Sequence, residues 1–197
     1  MIDNFNLIYP LLNFDSEDDF YFVQILQRKK DNPNNVHGSN NSSRLIKAYY
    51  ISSVDSLKRL KEEMIHLADY FNARVGINLN KRSYYKTAFH TMQTIANQMS
   101  NKDFKNVRSA YNTSCGVCNV NDDKRWILDV DEKGRKTNDI ILFIERECEP
   151  IGNKYITIIP SKQGFHIITK PFNLSVFKKE YPDIEVHKNN PTNIYIP

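Results

Sequence analysis

Residues 125–131 read Arg-Trp-Ile-Leu-Asp-Val-Asp, and this stretch decides the architecture of the second half of the chain. Trp126, Ile127, Leu128 and Val130 form an aromatic and β-branched run that predicts a buried strand. The run ends in two carboxylates, Asp129 and Asp131, spaced i and i+2. On a strand that spacing sends both side chains to one face. Two like charges at the end of a buried strand repel each other, and a divalent cation between them removes the conflict. The continuation Asp131-Glu132-Lys133-Gly134 also suits a solvated turn.

Downstream, residues 137–148 predict a helix with an Asn or Thr cap and Ile140, Leu142, Phe143 and Ile144 as its apolar residues. Strands are expected at 155–160 and 164–169, joined by the tight turn 161–163. A short helix follows at 173–181, then strands at 183–187 and 193–196. Through His187 the order is βαββαβ, the plan of an RRM-like palm. Upstream, strands at 20–27 and 45–51 flank the polar stretch 31–43. A helix at 53–71 places Leu57, Leu60, Met64, Leu67 and Phe71 at helical spacing. A strand at 73–79 precedes a helix at 82–99 with Tyr85, Phe89, Met92, Ile95 and Met99 on one face. Loops are expected at 115–124 and 188–192. The expected class is α/β of the α+β kind. A single domain, 1–197, pairs an N-terminal α/β lobe (1–114) with an RRM-like half (115–197).

Two further strand ends carry reactive side chains. In Pro160-Ser161-Lys162-Gln163-Gly164-Phe165-His166, the segment around Ser161, Lys162 and Gly164 can present backbone N–H groups and an ammonium to phosphates. His166 can donate to a phosphate oxygen. The same residues suit an ordinary hairpin. In Pro182-Asp183-Ile184-Glu185-Val186-His187, two more acids share a strand face, on a strand that can lie beside Asp129. Asp183 is the expected third carboxylate and Glu185 the alternate.

Asp-x-Asp, then Ser…Gly-x-His, then a later acid is an order that resembles the archaeo-eukaryotic primase and primase-polymerase superfamily, over residues 125–197. The resemblance implies metal-dependent transfer of nucleotides from NTP or dNTP onto a strand, on a single-stranded DNA template. It implies two Mg2+ or Mn2+ ions at Asp129, Asp131 and Asp183, with Glu185 as the alternate ligand. It implies a nucleotide site at Ser161, Lys162, Gly164 and His166, and replication proteins such as a helicase as partners. In three places the sequence departs from the family pattern: a proline precedes Asp183, the gap between Ser161 and His166 is longer than the shortest form of the motif, and the tail 192–196 lacks the basic residue that often follows.

The whole chain has 197 residues and a formal net charge of +4, a mild tilt towards phosphate-bearing partners. With three cysteines, no leader-like N-terminus and no long apolar run, it reads as an intracellular protein that does not engage a membrane. Its Lys-, Asn- and Ile-rich usage suggests the cytoplasm of a bacterial or phage-infected cell. Cys115 and Cys118 form half a zinc site, but no further ligands follow at paired spacing, so zinc is not expected. Lys81, Arg82 and Lys86 open a predicted helix and suit a nucleic-acid backbone, as does Arg28-Lys29-Lys30. Two rival readings use the same chain. One is a non-catalytic RRM-like binding module stacking bases on Tyr155 and Phe165; the other is a degenerate primase subunit. No His-x-His pair is present to support a strand-nicking enzyme.

Overall fold

The computed structural model describes residues 1–33, 43–119, 123–131 and 136–197. In chain order the elements are β1 (Ile2–Asp3), α1 (Phe5–Ile8), β2 (Asp19–Arg28), β3 (Ser43–Ile51), α2 (Val54–Phe71), β4 (Arg74–Ile77), β5 (Arg82–Ser83), α3 (Tyr84–Ser100) and α4 (Ala110–Val117). They continue with β6 (Trp126–Val130), α5 (Thr137–Glu147), β7 (Tyr155–Pro160), β8 (Phe165–Thr169), α6 (Leu174–Glu180), β9 (Glu185–His187) and β10 (Thr192–Ile196). The polar loop expected at 31–43 falls largely outside the described residues, as does the turn after Asp131.

The protein is a mixed α/β fold with two antiparallel sheets. One has six strands in the order β1-β10-β4-β2-β3, with β5 added to β2. The other has four, in the order β7-β8-β6-β9. Its connections interleave: β8 lies between β6 and β7, and β6 lies between β8 and β9. The last strand does not stay with its sequence neighbours. β10 pairs with β1 and β4, so residues 192–196 belong to the sheet built mostly from residues before 84. The boundary expected at residue 115 is therefore crossed by the end of the chain.

Strand alternation sorts the cores. Tyr21, Val23 and Ile25 of β2 face α2, where Leu57, Met64 and Ala68 are buried beside them. Phe20 and Phe22 point the other way, against Tyr84, Tyr111 and Cys115. In the smaller sheet, Leu128, Val130 and Ile167 pack on Ile140 and Ile144 of α5 and Phe177 of α6. Ile127 and Ile168 project from the opposite face and join the larger sheet's core. Burying each such aliphatic side chain stabilises by about 1.5–3 kcal/mol.

The junction between the sheets is also stitched by buried asparagines. Asn4 Nδ2 donates to Pro160 O and Asn193 O at 2.9 and 3.0 Å. Asn80 Nδ2 donates to Lys188 O at 2.8 Å, and its Oδ1 accepts from Arg125 N at 2.6 Å.

Two expectations need correction. Residues 115–117 close α4 instead of opening a loop, with Cys118 as the C-cap. In α3, Tyr85, Phe89, Met92 and Met99 face solvent, and Thr87 is the buried residue. The packed side of α3 is its small polar side: His90 Nδ1 lies 3.0 Å from Ser114 Oγ on α4. Small residues let the helices approach closely, which leaves the bulky stripe outside. Among the described residues, no helix is long and apolar enough to cross a membrane.

Candidate active-site cleft

Because Leu128 and Val130 are committed to the helix side of β6, Asp129 must emerge on the face that looks towards the larger sheet. Register then assembles a row across three strands. Asp129 pairs with His166 on β8 and with Glu185 on β9. Directly opposed residues in antiparallel strands have Cα atoms roughly 4.5–5.5 Å apart, so these residues are neighbours on one face of the sheet. His187 stands one step along the same face, opposite Ile127.

This face forms one wall of a cleft of about 820 Å3, lined by Asp129, Asp131, Ser161, Lys162, Gln163, His166, Glu185 and His187. The facing wall comes from the larger sheet and is cationic, with Arg28, Lys29, Lys30 and Arg74. Acid on one side and cation on the other suits a ligand that carries anionic groups and brings metal ions.

His166 is nearly buried, at 7% exposure. Its Nδ1 lies 2.8 Å from Thr192 Oγ1 and its Nε2 lies 3.4 Å from Asp129 Oδ1. The His166 contact, with help from the charges of His187 and Arg28, holds the Asp129 carboxyl below its ordinary range against the opposing effect of burial. Asp129 is thus an anion at neutral pH. His187 Nε2 lies 3.3 Å from Glu185 Oε2. Across the cleft, Asp31 receives Arg74 on both oxygens, at 2.8 and 2.9 Å, and Lys162 Nζ at 3.0 Å. These cations hold its carboxyl below the ordinary range, although burial pushes the other way.

Gly164 has a steric role. A Cβ there would sit 1.8 Å from Val130 O, so only glycine lets the 161–164 turn close over the end of β6. Its N–H is already used, donating to Ser161 Oγ at 3.2 Å, while Ser161 N donates to Gly164 O at 3.0 Å. The turn therefore positions Ser161 and Lys162, and the Gly164 N–H is not free to meet a phosphate.

Three expected roles shift. Asp183 precedes β9 and is not among the residues lining the cleft, whereas Glu185, in register with Asp129, is. Lys81 is engaged by Asp15 and by Asp19, the latter at 3.0 Å. Arg82 is fully buried and reaches no surface. Its Nε donates to Cys115 O at 2.6 Å, its Nη1 to Asn80 O, and its Nη2 to Asn189 Oδ1 at 2.8 Å. Burial lowers its pKa to about 10, which leaves it charged at neutral pH. The carbonyl it meets lies in the last turn of α4, where the helix dipole favours a cation. Lys86 remains exposed on the first turn of α3, away from the residues lining the cleft.

Cys115 is buried in α4, and both it and Cys118 are free thiols. Among the described residues, no three His, Cys, Asp or Glu side chains are already arranged to hold a metal ion. Asp131 and Glu185 are exposed. The residues that sequence reasoning missed are Thr192, Asp31, Arg74 and His187. Each except His187 comes from the larger sheet or its margin, and no local motif announces it. No protein-family model, curated protein or solved structure matches the chain.

Proposed function

We propose that the cleft is a metal-dependent nucleotidyl-transfer site of the archaeo-eukaryotic primase type, on an RRM-like palm. The observation that carries this reading is the cross-strand row His166–Asp129–Glu185 facing a cationic wall. The strand order β9-β6-β8-β7 supports the palm assignment. Fold alone hosts many functions, so the weight rests on the site.

The donor set suits Mg2+ or Mn2+, which prefer carboxylate oxygens. Asp129, Asp131 and Glu185 would hold the ions. When bound, such ions activate an attacking hydroxyl and neutralise the leaving pyrophosphate. The protein's own groups do the rest. An imidazole N–H of His166 donates a hydrogen bond to a phosphate oxygen. Arg28, Lys29 and Lys30, with the exposed Lys162 that also meets Asp31, balance the triphosphate charge, which replaces the basic residue missing from the tail. Fixed charges in a partly dehydrated cleft cost little reorganisation during reaction. The nucleotide, NTP or dNTP, would be added to a strand on a single-stranded DNA template, with replication proteins such as a helicase as natural partners.

A non-catalytic sheet that stacks bases fits less well. Phe165 packs with the core on the helix side, and the inner sheet face carries isoleucines and acids where stacking would need aromatics. Nucleotide incorporation opposite a single-stranded template, with Mn2+, tests the proposal. Asp129→Ala with Asp131→Ala should reduce incorporation by at least about a thousandfold with an unchanged circular dichroism spectrum. Full activity in that variant would refute the site.

A further inference from the structure

We propose that the outer face of α3 docks an acidic amphipathic helix of a partner protein. Tyr85, Phe89, Met92 and Met99 are each more than half exposed, as is Phe104 just past the helix. Side chains of this size, half exposed, together present roughly 500 Å2, as much as the largest apolar patch on a typical monomer. With the exposed Ala96, the helical positions are 85, 89, 92, 96 and 99. Steps of four and three repeat twice, which is the spacing of a seam that packs on another helix. α3 has 17 residues, and its only Lys, Arg, Asp or Glu is Lys86. A helix face turned to water ordinarily carries charged residues. None of the seam residues lines the cleft, so the inference stands apart from the nucleotidyl-transfer reading.

The free charges beside the seam have one sign. Lys86 flanks its start, Lys102 lies just past its end, and Lys105 and Arg108 follow; all four are exposed. Among the described residues none of the four is held in an ion pair. Two nearby acids are engaged by the fold. Asp18 caps the start of α3, accepting from Tyr85 N at 2.8 Å, and Asp103 accepts from Asn106 Nδ2 at 2.8 and 3.0 Å. A partner helix with acids flanking its own apolar seam would meet cations at both ends, and such pairs fix partner choice and orientation.

Two other occupants fit less well. A second copy of the chain would set Lys86 against Lys102 if antiparallel, or each cation against its twin if parallel, and like charges at an interface are unfavourable. A nucleic-acid strand carries a phosphate on every nucleotide. Residues 87–101 contain no Lys or Arg, which leaves roughly 22 Å of helix without a cation. Met92 and Met99 adapt to an apolar protein surface, and Ala88 and Ala96 let a second helix approach closely.

The test uses two synthetic helical peptides that span the seam. Both carry the same leucine stripe; one has glutamate and the other lysine at the flanking positions. Fluorescence anisotropy with the full chain should show the glutamate peptide binding at least about tenfold more tightly. Phe89→Gln with Met92→Gln should weaken that binding at least about tenfold, with an unchanged circular dichroism spectrum. Lys102→Glu with Lys105→Glu should weaken it as well. No binding of the glutamate peptide, equal binding of the two, or binding that survives both double variants would overturn the proposal. A dimer in sedimentation equilibrium that Phe89→Gln dissociates would assign the face to a second copy instead. Oligothymidylate binding lost in the Phe89→Gln, Met92→Gln variant would assign it to nucleic acid. If that variant does not fold, amide shifts of the wild type on adding the glutamate peptide decide: changes confined to residues 85–104 support the docking face, and changes elsewhere overturn it.

Discussion

Arg82 and Asp129 are both charged residues beside the start or end of a strand, and both invite a ligand-binding reading. The structure treats them in opposite ways. Arg82 is completely enclosed, and its guanidinium hydrogens go to backbone carbonyls and one asparagine oxygen. Asp129 keeps about a third of its side chain exposed, at 31%, and meets a titratable partner, His166, on the neighbouring strand. A charge whose donors are already satisfied by the fold is a structural clamp. One whose acceptor capacity is still open to solvent is available for a ligand. Sign and sequence spacing alone do not separate the two cases; the difference lies in which partners the fold brings to each charge.

Changing Arg82 should give the larger effect on folding. Arg82→Met removes a buried cation and leaves Cys115 O, Asn80 O and Asn189 without their donor. Urea unfolding should show a loss of about 3 kcal/mol or more. A variant as stable as the parent would show that these bonds contribute nothing net, and the comparison would fail on that side.

On the cleft side, Glu185 and Asp183 are two acids only two residues apart. Glu185→Gln should weaken Mn2+ binding about tenfold or more. Asp183→Asn should change it by less than about twofold, as expected for a substitution outside the site. Isothermal titration with Mn2+ distinguishes them. Equal losses, or a larger one at Asp183, would return the third acid to Asp183.

Much of the second half of the chain can be read locally because strand alternation is a local signal. The run 126–130 states which face is buried, and Asp129 follows by parity. Asp183 and Glu185 have the same parity, so alternation alone does not choose between them. What separates them is where the strand begins: pairing to β6 starts at Glu185, which local alternation does not mark. The fate of Arg82 depends on residues 33, 34 and 107 positions away, beyond any window that periodicity can use. The same holds for β10. Thr192-Asn193-Ile194-Tyr195-Ile196 announces a strand, but its pairing with Ile77, Gly76 and Val75 is a tertiary fact. With it went Thr192, which reads as a loop residue until its strand is placed. The apolar stripe of α3 misled in the reverse sense. Periodicity identified the face, and the small polar side won the packing contact.

The central claim is that one cleft gathers a divalent cation and the phosphates around Asp129, His166 and Glu185. The most direct measurement is paramagnetic broadening by substoichiometric Mn2+ in the presence of a non-hydrolysable nucleoside triphosphate, read on the backbone amides of the labelled protein. The account predicts selective loss of signal at residues 129–131, 161–166 and 185–187. It also predicts that the loss disappears in Asp129→Ala with Asp131→Ala. Broadening centred elsewhere, or unchanged in that variant, would contradict it.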